Sequence, residues 1–368
     1  MTIPPGGSFK PIREGDFSDS PKEESPLDDF LDAIETHDKE DFNDLFGEVA
    51  EEKKKELVLD LYEAFVSSLE EEASSGPGGE IFFKRDFLFL MTRIYENYPL
   101  LGDYMVAKEI MRPNSVDKMK IVNNMLTPEG VRVIIEYLRD KDSLKLPCAV
   151  YDDYESFEEM LDAIINDDSE DKKKLCIVRT RQRESAGGSN HVLPVYIEKT
   201  PDAPYKVFIS ESTDDGFNTI ILQNRISERL PGVHIYTSVM KRQLDDSSCS
   251  IFSLRDAVQI SSSGDIFADL EEVNPDREVR DRDGYREIYL ERLPLEMSKT
   301  TQSLSRIDSI LISSPTPERV IHYKEGSPET LQNNVDRHSV KTPDGKKRSL
   351  LIQKRFYKYV RLILEKIL

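Results

Sequence analysis

Four short runs at residues 174–179, 191–197, 205–210 and 234–240 are rich in Val, Ile, Tyr and Phe, and a helical run from Cys249 to Val258 follows the last. β-branched and aromatic runs of this length, bounded by turn residues, are strand signals. Residues 217–230 read as a helix between the third and fourth runs, and 146–151 as a further short strand. Residues 157–165 form an amphipathic pattern closed by the acidic loop 167–171. Upstream, 87–95 predicts a buried helix ending at Tyr98-Pro99, with more helical segments over 104–138. Helices, then a strand group, then a helix predict an α+β fold with a mixed β-sheet flanked by helices.

The flanks divide into three expected regions. Residues 1–79 form an acidic N-terminal extension, disordered over 1–26 and helical from Pro26, where Phe30, Leu31 and Ile34 share one apolar face. Ser74-Ser75-Gly76-Pro77-Gly78-Gly79 is a flexible break and marks its end. The α+β core then spans 80–270. Residues 271–368 are expected to be helical at both ends, with the charged stretch 271–283 as a solvated face or loop.

Charge narrows the partners. The net charge of −20 disfavours nonspecific binding to nucleic acid or to an anionic membrane. Basic residues cluster in the tail, Lys346-Lys347-Arg348 through Lys354-Arg355 to Arg361, reversing the sign of the N-terminus. No apolar run reaches membrane-span length, and Met1-Thr2-Ile3-Pro4-Pro5 lacks the pattern of a secretory signal. The three cysteines (148, 176 and 249) have no framework spacing and are expected as reduced thiols. The five histidines are dispersed, so no metal site is expected.

Cys249 opens the last helix, where backbone N–H groups and the helix dipole favour a thiolate. Gln243, six residues upstream, can fold its amide back toward an oxyanion forming beside the sulfur. The opposing reading is that Cys249 is one of three ordinary buried cysteines. A nucleophilic thiolate needs a base and a group to orient that base. His191 begins one predicted strand and Glu211 ends the next, so pairing of those strands brings both to one end of the sheet. His234 is the rival base but lies inside an apolar strand. Asp214 is the rival acid but sits in the turn Thr213-Asp214-Asp215-Gly216.

The order His191, Glu211, Gln243-x5-Cys249 resembles that of the adenain and ubiquitin-like protease clan of cysteine peptidases, and more specifically the YopJ family of effector acetyltransferases. Gly187-Gly188-Ser189-Asn190-His191, Val207-Phe208-Ile209-Ser210-Glu211 and the segment from Gln243 to Leu254 carry the likeness. Leu293-Pro294 with Lys299-Thr300-Thr301-Gln302-Ser303, the basic tail and Ile94-Tyr95-Glu96-Asn97-Tyr98-Pro99 extend it over 85–368. Ser250 stands where the family has Gly, narrowing the space near the acyl group. Thr300 stands where it has His, in the effector pocket.

The resemblance implies a cysteine-protease-like core with a helical regulatory region built from C-terminal and some N-terminal segments. It also implies a bacterial effector, made in the bacterial cytoplasm and delivered to the host cell without a cleavable Sec signal. Such an enzyme takes an acetyl group from acetyl-CoA onto Cys249 and passes it to Ser, Thr or Lys of a host protein. It implies inositol hexakisphosphate as activator, with Lys299, Arg337, His338, Lys354 and Arg355 in the comparable stretches; the alternative for these five is a solvated basic face. Two other readings stand beside it. One is a protease of ubiquitin or ubiquitin-like proteins on the same triad. The other is an interaction protein with a vestigial triad.

Overall fold

The computed structural model describes residues 26–35, 39–75, 98–110, 120–122, 125–167, 172–183, 191–213, 216–238, 240–245, 247–314, 316–324, 327–341 and 347–368. The helix expected over 87–95, the turn at 187–190, the glycines of the break after Ser75 and the rival acid Asp214 lie outside them. The chain forms two compact units, residues 1–112 with 361–368, and residues 113–360.

In the first unit the acidic stretch folds into α1 (Pro26–Glu35), α2 (Lys39–Glu48) and α3 (Glu51–Ser75), joined by α4 (Pro99–Ala107). Acidic residues open α2 and α3, where the helix dipole favours them. Pro99 opens α4, where its missing N–H costs no helical bond. Phe30, Phe42, Phe46, Leu57, Leu61 and Leu101 are buried. The Phe30 and Phe42 rings meet edge-on at 5.0 Å, and Tyr98 lies 4.1 Å from Phe42. The chain's last residues belong here too. Ile363 and Leu364 are buried, Arg361 pairs with Glu63, and Lys55 Nζ donates to the Glu365 carbonyl.

The second unit opens with the antiparallel pair β1 (Ile121–Val122) and β2 (Met125–Leu126), then α5 (Pro128–Asp140). Thr127 caps α5 by accepting from the Gly130 N–H at 3.3 Å. Position 130 must be glycine, because a Cβ there would stand 2.2 Å from the Lys120 carbonyl oxygen. Next come β3 (Cys148–Tyr151), α6 (Tyr154–Ile165), β4 (Lys172–Arg179), β5 (Val192–Lys199), β6 (Lys206–Ile209), α7 (Gly216–Arg229) and β7 (Val233–Ser238). After these run α8 (Cys249–Ser262), α9 (Ile266–Val273), β8 (Glu278–Arg282) and β9 (Tyr285–Leu290).

β3 to β9 make one mixed seven-stranded sheet in the order β3-β4-β5-β6-β7-β9-β8. On one face Val178, Val195, Ile209 and Ile235 pack against Phe157 and Leu161 of α6 and Leu222 and Ile226 of α7. Each such side chain contributes about 1.5–3 kcal/mol on full burial. Strand alternation turns Ile177 and Phe208 to the opposite face, where α8 packs on β4 and β5. Ser253 of α8 donates to the Val192 carbonyl there at 2.9 Å.

The expected α+β fold with a mixed sheet is present, but the sheet runs past residue 270. The charged stretch expected as a solvated face or loop contains β8, which closes one sheet edge with five exposed residues, and Asp283-Gly284 turns it into β9. Gly284 has φ +83°, the left-handed conformation such a two-residue turn needs. Charged side chains on both faces conceal the strand in the sequence and protect the open edge from pairing with another chain.

The C-terminal region is likewise not wholly helical. α10 (Leu295–Ser298), α11 (Leu304–Ser313), the hairpin β10 (Val320–Lys324) and β11 (Ser327–Thr330), and α12 (Leu331–His338) enclose Leu295, Ile307, Leu331 and Val335. The pair β12 (Ser339–Lys341) and β13 (Lys347–Ser349) leads to α13 (Leu351–Ile367).

Candidate active site

The sheet's pairing explains why distant residues meet. β5 and β6 are antiparallel, with Val195 opposite Ile209, so the start of β5 and the end of β6 share one sheet end. β7 runs parallel to β6 and delivers the loop to Cys249 at that end. His191 precedes β5, and its carbonyl is held by the Thr180 N–H at 3.0 Å and hydroxyl at 3.2 Å.

His191 Nε2 lies 3.1 Å from Glu211 Oε2. The side chain of Cys249 also hydrogen-bonds His191. Burial works against the charged ring, but the bonds to Cys249 and Glu211 outweigh it and hold the His191 pKa at about 10. Burial pushes Glu211 upward, yet His191 and Thr213 hold it below its usual value. Its Oε1 accepts from the N–H groups of Ser212 and Thr213 at 2.8 and 2.9 Å and from the Thr213 hydroxyl at 2.9 Å. The carboxylate is thus fixed as an acceptor facing the ring.

The other cysteines differ. Burial pushes the Cys148 thiol up to about 12 and raises Cys176 further from reactivity, with its sulfur against the Val195 carbonyl. The ordinary buried-cysteine reading fits Cys176, and Cys148 is half-buried, whereas Cys249 faces an imidazole at a helix start. His234 is the second residue of β7, at the opposite end of the strand from the site. Burial with Arg286 and Lys206 nearby lowers its pKa.

Gln243 is buried. Its Oε1 accepts from the Ser212 hydroxyl at 2.8 Å, and its Nε2 donates to the Asp245 carbonyl at 2.6 Å. The amide is therefore anchored next to the residue that follows Glu211, with one Nε2 hydrogen committed. The Ser250 hydroxyl accepts from the Leu126 N–H at 3.2 Å, which directs it to β2 and away from the Cys249 sulfur. Thr300 Oγ1 donates to the Met297 carbonyl at 3.0 Å and lies 3.5 Å from Arg242 Nη1. It supports the loop side of its segment and adds nothing to the basic cluster.

The five basic residues also come together. Lys299 is buried beside α10, and burial with Arg255 and Arg355 nearby lowers its pKa to about 8. Burial and Arg255 lower Arg355. His338 falls to about 4 through burial and the charges of Arg337, Lys354 and Arg355. Arg337 pairs with Glu329. Arg255, in the same helix as Cys249, is a sixth member that sequence reasoning missed. Its one signal is a cation inside the apolar run 251–258. Among the described residues, no hydrogen-bond partner meets the Thr301 hydroxyl, the Tyr359 hydroxyl or His338 Nδ1 in these segments. A cationic cluster built round the buried Lys299, with orphaned polar atoms nearby, is suited to a multiply charged anion.

The family model described as YopJ serine/threonine acetyltransferase matches residues 122–361. Among solved structures, HopZ1a in complex with IP6 superposes with a TM-score of 0.53 at 12% identity, covering 83% of this chain and 96% of that one. AvrA delL154 with IP6 and CoA gives 0.49 at 18% identity, covering 74% and 97%. No curated protein matches the chain.

Proposed function

The chain belongs to the YopJ serine/threonine acetyltransferase family, and on that premise we propose that Cys249, His191 and Glu211 form a triad that moves an acetyl group from acetyl-CoA to a host protein. The observation that carries this reading is the unbroken contact from Cys249 through His191 to a carboxylate fixed by three donors of its own loop. A vestigial site has no need of that arrangement.

His191 takes the thiol proton, and Cys249 Sγ attacks the thioester carbonyl. Charge grows on the carbonyl oxygen, beside the N–H groups at the start of α8 and the uncommitted Nε2 hydrogen of Gln243. Collapse forms acetyl-Cys249, and the departing CoA sulfur takes the proton from His191. A Ser or Thr hydroxyl or a Lys amine of the acceptor then attacks with His191 as base, and the thiol is restored. Glu211 keeps the ring oriented and supports its charge throughout.

Lys299, Arg337, His338, Lys354, Arg355 and Arg255 would hold inositol hexakisphosphate, whose phosphate groups match the excess of positive charge there. Burial and the neighbouring cations together lower the pKa values of Lys299 and His338, so an anion between these groups stabilises the segments that bear them. No helix among the described residues is long and apolar enough to cross a membrane. The reading places the acceptor in a host cell, as for other effectors of the family.

Incubation with radiolabelled acetyl-CoA and inositol hexakisphosphate tests the proposal. Label should appear on Cys249, and it should leave when acceptor protein is added. Reaction of Cys249 with a ubiquitin vinyl probe, and none with acetyl-CoA, would transfer the assignment to a ubiquitin-like protease.

A further inference from the structure

The loop that carries Gln243 and delivers Cys249 is held by a residue 58 positions downstream of Leu244. Gln302 is buried between α10 and α11, and its side-chain amide and both of its backbone groups are engaged. Its N–H donates to the Arg242 carbonyl at 2.9 Å, and its carbonyl accepts from the Ser349 N–H at 3.1 Å. Its Oε1 accepts from the Leu244 N–H, and its Nε2 donates to Asp245 Oδ2. Asp245 in turn organises the helix start. Its Oδ1 accepts from the N–H groups of Ser247 and Ser248 at 2.9 and 2.7 Å, and its Oδ2 from the Ser248 hydroxyl at 2.8 Å. Its carbonyl accepts from Gln243 Nε2 at 2.6 Å. The Ser248 carbonyl then takes the N–H groups of Ile251 and Phe252, the first turn of the helix that begins at Cys249.

We propose that Gln302 is a positioning residue for the reaction: through Asp245 it sets where Gln243 and Cys249 stand. The proposal rests on the acyltransferase reading for its reaction, but not for its geometry. The position demands an amide, because one side chain must accept from Leu244 and donate to Asp245 at once. A carboxylate of the same length would still accept from Leu244 but would oppose the charge of Asp245 in a buried site. Gln302 also ties the loop to the segments of the basic cluster. It lies three residues after Lys299, and Ser349 precedes the helix bearing Lys354 and Arg355. Order in those segments is thereby transmitted to the nucleophile by hydrogen bonds alone.

Reversing the hydrogen bond tests this. Gln302→Glu, Asp245→Asn and the double variant are compared with the wild type for kcat, KM and the rate of Cys249 alkylation by iodoacetamide. Each single variant should lose at least about tenfold in kcat and in alkylation rate, the scale of a hydrogen bond to a charged group, with KM nearly unchanged. The double variant should recover much of both losses, because the new amide at 245 donates to the new carboxylate at 302. The deficit of Gln302→Glu should also narrow as pH falls and its new carboxyl takes a proton, a response a purely structural role would not produce. Should Gln302→Glu fail to fold, Gln302→Asn, one methylene too short to reach both partners, replaces it and should show the same loss. Wild-type rates in the single variants, or a double variant no better than the worse single one, overturn the proposal. Alkylation needs no acyl donor, so a wild type that takes no acetyl from acetyl-CoA defeats the acyltransferase reading while leaving this test intact.

Discussion

Arg242 and Asp256 form a fully buried ion pair across the nucleophile, one residue before Gln243 and one turn beyond Phe252. Arg242 Nη1 meets Asp256 Oδ1 at 2.8 Å and Nη2 meets Oδ2 at 2.5 Å, with the Ser210 hydroxyl bridging both partners. The pair pins the loop before Cys249 to the helix after it. Removing one partner strands a buried charge, so Asp256→Ala should cost about 3–5 kcal/mol in urea unfolding. Asp256→Asn, which keeps an acceptor, should cost less. Equal and small losses would show that the pair contributes no cohesion to the site.

Cys249→Ala should lower acetyl transfer by at least about 10⁴-fold while leaving the melting curve close to wild type, since a single sulfur is removed. Cys148→Ala should leave transfer unchanged, because burial keeps that thiol protonated. A large fall in melting temperature for Cys249→Ala would return Cys249 to the ordinary core.

The His191–Glu211 pair should show in the pH dependence of stability. The His191 pKa is raised from 6.5 to about 10, so its contribution is complete below 6.5 and is lost as pH rises through 10. Glu211 is lowered from 4.5, so its contribution is present above 4.5 and is lost as pH falls below it. The difference in unfolding free energy between wild type and Glu211→Gln should therefore be largest between 4.5 and 6.5 and shrink toward pH 10. Guanidinium melts at several pH values measure it, and a difference independent of pH would contradict the pairing.

Inositol hexakisphosphate should bind with proton uptake. Lys299 titrates at about 8 in the free protein, and a neighbouring anion favours its charged form, so affinity should fall as pH rises through 8. Isothermal titration in two buffers of different ionisation heat reads the protons directly. Lys354→Glu with Arg355→Glu should abolish binding, and unchanged affinity would leave these residues as a solvated face.

Removing residues 1–79 should lower the melting temperature by several degrees. Glu63 and Lys55 hold Arg361 and the Glu365 carbonyl, and Ile363 and Leu364 are buried in the same unit. Scanning calorimetry of a chain beginning at Glu80 measures the effect. An unchanged transition would mean that the last residues need no cover from α1–α3.

The sequence alone determined the parts of this protein that are written locally. Runs rich in Val, Ile and Phe place β4 to β7, and a polar-to-apolar switch at Cys249 places the start of α8, because burial and backbone preference act over a few neighbouring residues. The order His191, Glu211, Gln243, Cys249 was legible for the same reason, since each stands at the end of such a run. Only the tertiary structure decided the rest. β8 is hidden because charged residues fall on both of its faces, and its pairing to β9 depends on a sheet edge that local pattern does not encode. Arg242, Asp245, Arg255 and Gln302 read as ordinary polar residues. Arg242, Asp245 and Gln302 take their roles when folding brings groups 14 to 58 positions apart within hydrogen-bond reach, and Arg255 takes its role beside Lys299 and Arg355.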